Sequence, residues 1–326
     1  MKAYLQTMRF DHWLKNVFLI FGHTVAVVLA LDFAITGKLL MTGLLSLVPV
    51  CLIASANYVL NEILDAPFDR LHPTKRSRPL ASNRVKASRL WLLFIGLTAA
   101  GFLCAAAWFE NSGYHIALLL LFLNGLLYNV RPARLKDRAF VDVIAESFNN
   151  PIRLWLGWFA LVPFAEFPPL SITLAWWSFG GLLMTGKRYA EYRFIDNHEV
   201  SGNYRKSFRK YSENSLIIAM ITYANLFCFS SGWAVCQYPP LNNLIFVFPL
   251  IIVAVMAYFQ TALSRKGVRL EPEQMMRRPV IVVCTILTCL LTYALVAAHR
   301  NESFRIKEWF GAPDYSSGSE MKIENS

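Results

Sequence analysis

Apolar runs close to the length of a membrane-crossing helix recur along almost the whole chain. They fall near 16–36, 39–60, 90–109, 114–130, 139–162, 169–186, 215–236, 241–262 and 279–298. A hydrocarbon core is about 30 Å thick, so a helix needs about 20 residues to cross it. The runs predict an all-α integral membrane protein: a bundle of nine transmembrane helices forming one domain over 1–300. Only 16% of the residues are charged, whereas soluble domains carry about 25%. The polar stretch 301–326 predicts a disordered tail. The first apolar run exceeds a signal-peptide core and lacks a cleavage site, so it is expected to be retained.

Cations divide unevenly among the connections. Assigned alternately to two sides, 26 lysines and arginines fall with the N-terminus and the connections 65–89, 131–138, 187–214 and 264–278, and five on the other side. The positive-inside rule then predicts a cytoplasmic N-terminus, cytoplasmic long loops and an external C-terminus. Orientation accounts for most of the +11 net charge, so nucleic acid is not an expected partner. Membrane lipids are expected neighbours, and a homo-oligomer is compatible with the pattern. Cys51, Cys104, Cys228, Cys236, Cys284 and Cys289 form no CxxC pair and read as small buried residues, not disulfides or metal ligands.

Chemistry should then concentrate where polar residues meet the ends of spans. Residues 61–79 read NEILDAPFDRLHPTKRSRP. Asn61, Asp65 and Asp69 recur every four residues, which places them along one helical stripe. Pro67 disfavours helix at Ala66, so a kink or helix end is expected there, with Asp69 reaching back from the loop. Oxygen donors so spaced suit Mg²⁺, which takes one or two carboxylates and completes its shell with phosphates and water. Lys75, Arg76 and Arg78 follow and can neutralise the same phosphates. A diphosphate-bearing donor is the implied ligand.

Two further constellations stand apart. Lys187, Arg188 and Glu191 begin a second basic connection, with Arg205, Lys206, Arg209, Lys210 and Tyr211 behind them. The 65–89 and 187–214 connections resemble each other loosely, as two loops under one charge rule would. The fifth span carries Asp142, Glu146, Asn149 and Arg153 at intervals that share one helix face. Intramembrane charge is costly, so this face should look inward, with Arg153 pairing with Glu146. Tyr128 and Arg131, where the fourth span ends, are further candidates for binding substrate. No HExxH, GxxxxGK or Ser-His-Asp arrangement is present, which leaves a nucleotide-driven pump without support.

The Asn61–Asp65–Asp69 pattern with its basic continuation resembles the UbiA superfamily of intramembrane prenyltransferases. More closely, it resembles the branch that transfers phosphoribosyl groups to decaprenyl phosphate. Arg9, Trp13, Lys15 and Asn16 match that branch's R-x-x-x-W-x-K-N element. DRLHPTKRSRPLAS at 69–82, Asp142 with Arg153, GKRYAE at 186–191 and Tyr211 match its other segments. The resemblance implies nine helices of UbiA type, a cytoplasm-facing polar cavity and Mg²⁺ held by Asn61, Asp65 and Asp69. It implies catalytic roles for Asp65, Asp69, Lys187, Arg188 and Glu191. Substrate contacts are implied for Lys15, Asn16, Asn61, Lys75, Arg76, Arg78, Tyr128, Arg131, Asp142, Arg153 and Tyr211. Expected partners are a polyprenyl phosphate lipid and a diphosphate donor, and the expected place is a bacterial inner (plasma) membrane.

UbiA enzymes that prenylate aromatics carry a second DxxxD in the later loop. Here Lys187, Arg188 and Glu191 stand instead, which favours phosphoribosyl transfer. Glu62, Asn83 and the polar fifth span also depart from the branch pattern. Prenyl transfer to an aromatic or other small acceptor is the alternative. A transporter of an anionic metabolite is a third reading, disfavoured because the polar groups gather at one end.

Overall fold

The computed structural model describes residues 2–70, 75–194, 206–264 and 278–300, and those residues contain helices and no strand. In chain order the α-helices are α1 (Lys2–Thr7), α2 (Phe18–Leu29), α3 (Gly37–Asp69), α4 (Ala87–Trp108) and α5 (Ser112–Asn129). They continue as α6 (Val141–Ser147), α7 (Asn149–Leu161) and α8 (Leu170–Phe194). The last are α9 (Glu213–Gln237), α10 (Phe248–Leu263) and α11 (Pro279–Arg300). Short 3-10 turns at Phe10–Val17, Lys75–Ser77, Leu135–Asp137, Lys206–Lys210 and Pro239–Val247 join them.

Among the described residues, five helical stretches are long and apolar enough to cross a membrane: Gly37–Asp69, Ala87–Trp108, Glu213–Gln237, Pro239–Leu263 and Pro279–Ala298. Two sequence expectations change. The first apolar run is an α-helix only over Phe18–Leu29, because 31–36 turns through positive φ at Asp32 and Phe33. The fifth run divides at Phe148 into α6 and α7. Pro151 then sits in the first turn of α7, where no intrahelical N–H is needed. The proposed tail at 301–326 lies outside the described residues, as do 195–205 of the second basic connection.

Lipid tails are as apolar as leucine, so helices in a bilayer associate through close packing and polar contacts. The most extensive pairings are α8 with α9, α3 with α4 and α2 with α7. The last pair crosses on two glycines. A Cβ on Gly22 would strike the Leu154 carbonyl oxygen, and one on Gly157 the Leu19 carbonyl oxygen. Helix α3 is the central element, with 44% of its apolar window buried against 6% for α11. The apolar core around Leu19, Ile53, Leu118, Leu154 and Phe159 lies where α2, α3, α5 and α7 meet. A second cluster (Leu182, Tyr189, Phe208, Tyr211, Leu216, Tyr258) ties α8 to α9, α10 and the 206–211 turn. A third (Ala56, Val59, Leu80, Val85, Leu90) pins the connection after α3 back onto that helix.

Candidate functional site

Helix α3 runs unbroken through Pro67 to Asp69, so the expected kink is absent. Tertiary contacts override the local penalty. The buried Glu62 side chain accepts the Leu80 N–H at 2.9 Å, and Asp69 accepts Arg78 Nη1 at 2.6 Å. Both bonds fasten the returning basic connection along the last turns of α3. Asn61, Asp65 and Asp69 therefore share one helix, but an α-helix gains about 40° in every four residues, about 80° over eight. Asp69 looks toward Arg78, and Asp65 looks the other way, toward the connection between α5 and α6.

That connection supplies groups that spacing alone did not single out. Asp65 Oδ1 receives Lys136 Nζ at 2.6 Å and Arg134 Nη2 at 3.0 Å. Asn129 Oδ1 at 2.9 Å and Asn61 Oδ1 at 3.4 Å also accept from the same ammonium. Lys136 is only 8% exposed. Left-handed backbone at Arg134 (φ 29°) and Phe140 (φ 63°) folds the segment over Asp65, a conformation non-glycine residues keep only where surroundings fix it. Asn129, Arg134, Lys136 and Glu62 are the members that the sequence reading missed. The only signal for Arg134 and Lys136 was charge in a short loop, which the positive-inside rule already absorbed.

Three hard oxygens converging on one cation form a donor set that suits Mg²⁺ as well as an ammonium. Among the described residues no group of three or more His, Cys, Asp or Glu could hold a metal. Asn61 and Asp65 would thus supply part of a shell, and substrate oxygens and water the rest, as Mg²⁺ commonly requires. Asp69 serves Arg78 in this arrangement and borders the site.

The second constellation is a closed charge network. Arg188, 1% exposed, gives Nε to Asp142 at 2.9 Å, Nη1 to Glu191 at 3.1 Å and Nη2 to Glu146. Tyr128 donates to Glu146 at 3.1 Å. The Tyr211 hydroxyl donates to Asp142 and accepts the Phe140 N–H at 2.8 Å. Burial, reinforced by the Asp142 charge, raises the Tyr211 phenol above its ordinary value and keeps it a neutral donor. One expectation is corrected here. Glu146 pairs with Arg188, not with Arg153, because α8 brings a guanidinium directly against the Asp142–Glu146 turn, whereas Arg153 is two turns further on. Arg188 gives each of its nitrogens to a carboxylate. The adjacent Lys187 is half-buried and pairs with no carboxylate among the described residues.

Arg153 instead donates Nε to Asn16 Oδ1 at 3.0 Å, across 137 residues of sequence. Asn16 also donates to Cys51 Sγ at 3.2 Å. Trp13 donates to Ser55 Oγ at 2.9 Å, and Ser55 to the Met8 carbonyl at 3.0 Å, which fixes the N-terminal segment on α3. Arg9 lies over the Tyr58 ring. Burial first, and then the Arg78 charge, lower its guanidinium from the usual value; it stays cationic. The Lys15 side chain lies outside the described residues. Arg76 is exposed, and Lys75 and Arg78 are half-buried. Arg131 is exposed at the rim of a 420 Å³ cavity that Arg134, Asp137 and Arg138 also line.

An apolar helical bundle with carboxylates, amides and cations gathered at the ends of its helices defines a membrane-embedded transferase. The family model of the UbiA prenyltransferase family matches residues 19–283, and the chain belongs to that family. It is 28% identical over 241 residues to the decaprenyl-phosphate phosphoribosyltransferase of Mycolicibacterium smegmatis, covering 69% of this chain and 70% of that one. The Mycobacterium tuberculosis protein of the same name is 29% identical over 65% of this chain and 67% of its own. A solved UbiA homolog from Archaeoglobus fulgidus bound to GPP and Mg²⁺ superposes with a TM-score of 0.65 at 19% identity, covering 90% of this chain and 99% of that one. A digeranylgeranylglyceryl phosphate synthase structure gives a TM-score of 0.55 at 17% identity, covering 91% and 97%. Both share the fold.

Proposed function

We propose that this protein transfers a phosphoribosyl group from 5-phosphoribosyl-1-diphosphate to a polyprenyl phosphate, releasing pyrophosphate. One observation carries the reading beyond the family: where a second acidic pair would clamp a prenyl diphosphate, Arg188 gathers Asp142, Glu146 and Glu191 into a closed network. That leaves a single oxygen site for a metal-bound diphosphate, at Asn61 and Asp65. The names of the mycobacterial relatives point the same way.

In this reading Asn61 and Asp65 would hold Mg²⁺, with Asp69 at the border of the site, and the ion would withdraw electron density from the diphosphate. Lys136 and Arg134 already touch Asp65 and turn to the phosphate oxygens, while Arg78, Lys75, Arg76 and Lys187 offset the remaining charge. The bond from ribose C1 to the diphosphate oxygen breaks, and its electron pair leaves with pyrophosphate. Cations fixed beforehand stabilise that charge most in the transition state. A phosphate oxygen of the lipid forms the new bond to C1. A phosphomonoester has a second pKa of about 6, so near pH 7 the nucleophile is largely ionised and needs no protein base. Arg9 and Lys15 would hold the lipid phosphate. Nine spans, a cytoplasmic N-terminus and cavity, and a bacterial plasma membrane complete the proposal.

Incubating purified protein with Mg²⁺, labelled phosphoribosyl diphosphate and polyprenyl phosphate should yield a labelled lipid. Product from a prenyl diphosphate and an aromatic acid, with none from the sugar donor, would select the second reading. That reading is favoured by GPP, DMAPP and Mg²⁺ in the archaeal homolog structures. Transport of an anion across proteoliposomes without chemical change would select neither.

A further inference from the structure

Lys136 sits where the oxygens of the Asp65 site converge. Its ammonium donates to Asp65 Oδ1 at 2.6 Å, Asn129 Oδ1 at 2.9 Å and Asn61 Oδ1 at 3.4 Å. Arg134 Nη2 meets the same Asp65 oxygen at 3.0 Å. One carboxylate oxygen thus carries two fixed cations. A metal bonded to that oxygen at the usual length of about 2.1 Å would lie within about 5 Å of the ammonium. Like charges so close in a partly buried site repel strongly, and Mg²⁺ gives up its water reluctantly. The same oxygens therefore suit the ammonium or the metal, but not both at once.

The fold seats the ammonium firmly. Lys136 lies in the Leu135–Asp137 turn and is 8% exposed. Before it, Arg134 bonds Asp137 at 3.1 Å and the Asn129 carbonyl at 3.4 Å, and its guanidinium lies 5.1 Å from the Phe68 ring centre. After it, the Phe140 N–H donates to the Tyr211 hydroxyl at 2.8 Å. The left-handed backbone at Arg134 and Phe140 is costly unless its surroundings fix it. These contacts fix it against α3, α5 and the 206–211 turn. The Asp65 side chain is nevertheless 19% exposed and that of Arg134 11%, so a ligand oxygen can reach both. A diphosphate brings several anionic oxygens, each a stronger acceptor for a guanidinium or an ammonium than a neutral amide.

We propose that Lys136, with Arg134, sets the order in which the site is loaded: the two cations keep a bare divalent ion off Asp65, and a diphosphate draws them onto its own oxygens, so that metal and diphosphate enter together. This deepens the reaction given above and rests on its oxygen site at Asn61 and Asp65. It holds for a sugar diphosphate and a prenyl diphosphate alike. The carboxylate is released to a metal only when the donor's charge is present, and the cations that guarded it end on the leaving group.

The test uses the full chain in phosphatidylcholine nanodiscs, dialysed to equilibrium against labelled Mn²⁺ with and without pyrophosphate. Mn²⁺ stands in for Mg²⁺, and its complex with pyrophosphate in solution is subtracted. Wild type should bind Mn²⁺ alone weakly and gain about ten- to hundredfold in affinity with pyrophosphate, the usual size of coupling between two ligands. By reciprocity Mn²⁺ should raise pyrophosphate affinity by the same factor. Lys136→Met should bind Mn²⁺ alone about tenfold more tightly and lose most of the coupling, whereas Lys136→Arg, which keeps the charge, should stay close to wild type. If Lys136→Met does not fold, Arg134→Gln removes the other cation from Asp65 and should shift Mn²⁺ binding in the same direction. Equal Mn²⁺ binding by wild type with and without pyrophosphate overturns the proposal, as does an unchanged affinity for Mn²⁺ alone in Lys136→Met. Asp65→Asn that keeps wild-type Mn²⁺ binding beside pyrophosphate overturns the oxygen site and the proposal with it. Failure of phosphoribosyl transfer would refute the proposed reaction, while the dialysis comparison still decides Lys136.

Discussion

Replacing Arg188 by methionine keeps much of the side chain's length and removes its charge from the centre of the bundle. Asp142, with a side chain 0% exposed, is then left buried without its guanidinium, beside the Tyr211 hydroxyl. Glu146 and Glu191 are each 31% exposed and can recover water, so most of the penalty falls on Asp142. Breaking a buried ion pair by removing one partner costs about 3–5 kcal/mol; with two of three carboxylates rehydrated, the low end, about 3 kcal/mol, is expected. A double-mutant cycle makes this specific. Asp142→Asn removes the stranded charge while still accepting from Tyr211, so Arg188→Met with Asp142→Asn should regain about 2 kcal/mol over Arg188→Met alone. Unfolding in mixed dodecyl sulfate micelles, followed by tryptophan fluorescence, reads these differences. A single Arg188→Met within about 0.5 kcal/mol of wild type, or no recovery in the double variant, would refute the view that this network holds the fold.

Asp65→Asn should abolish turnover by at least about a hundredfold and weaken Mg²⁺ dependence, because it removes the one carboxylate common to the oxygen site and its two cations; a metal titration of initial rates checks it. Lys136→Met should reduce kcat about a hundredfold at saturating donor if its ammonium moves to the leaving group, and leave the thermal midpoint near that of wild type if Arg134 still pairs with Asp65. Glu62→Ala should cost about 1–3 kcal/mol by stranding the buried Leu80 N–H, and limited proteolysis within 75–86 should accelerate. Gly157→Ala must push α2 from α7 and should destabilise by about 1–3 kcal/mol; Gly96→Ala, with open space around it, should not.

The resemblance of DRLHPTKRSRPLAS and GKRYAE to one branch of a superfamily points to the family from sequence alone, and the family match over 19–283 agrees with it. Asn61, Asp65 and Asp69 were legible because a helical period makes them neighbours on their own helix. The partners were not. Lys136 meets Asp65 across 71 residues of sequence and Arg153 meets Asn16 across 137, and no local spacing encodes such pairings. The expected pairing of Arg153 with Glu146 failed for the same reason: periodicity identifies a face, but the neighbouring helix decides which charge that face meets. Pro67 marks a second limit, since a local backbone preference gave way to the Glu62–Leu80 and Asp69–Arg78 bonds.

What the sequence by itself determined is the medium and the chemistry available. Apolar length demands helices in a bilayer, and clustered carboxylates, amides and cations at helix ends point to polar chemistry on an anionic ligand. Tertiary structure decided which cations are free to meet that ligand. Packing of α8 on α6 commits Arg188 to three carboxylates, while packing of α7 on the N-terminal segment gives Arg153 neutral partners among the described residues. In a low-dielectric interior a charge is defined by its nearest counter-charge, and only the folded chain sets which one that is.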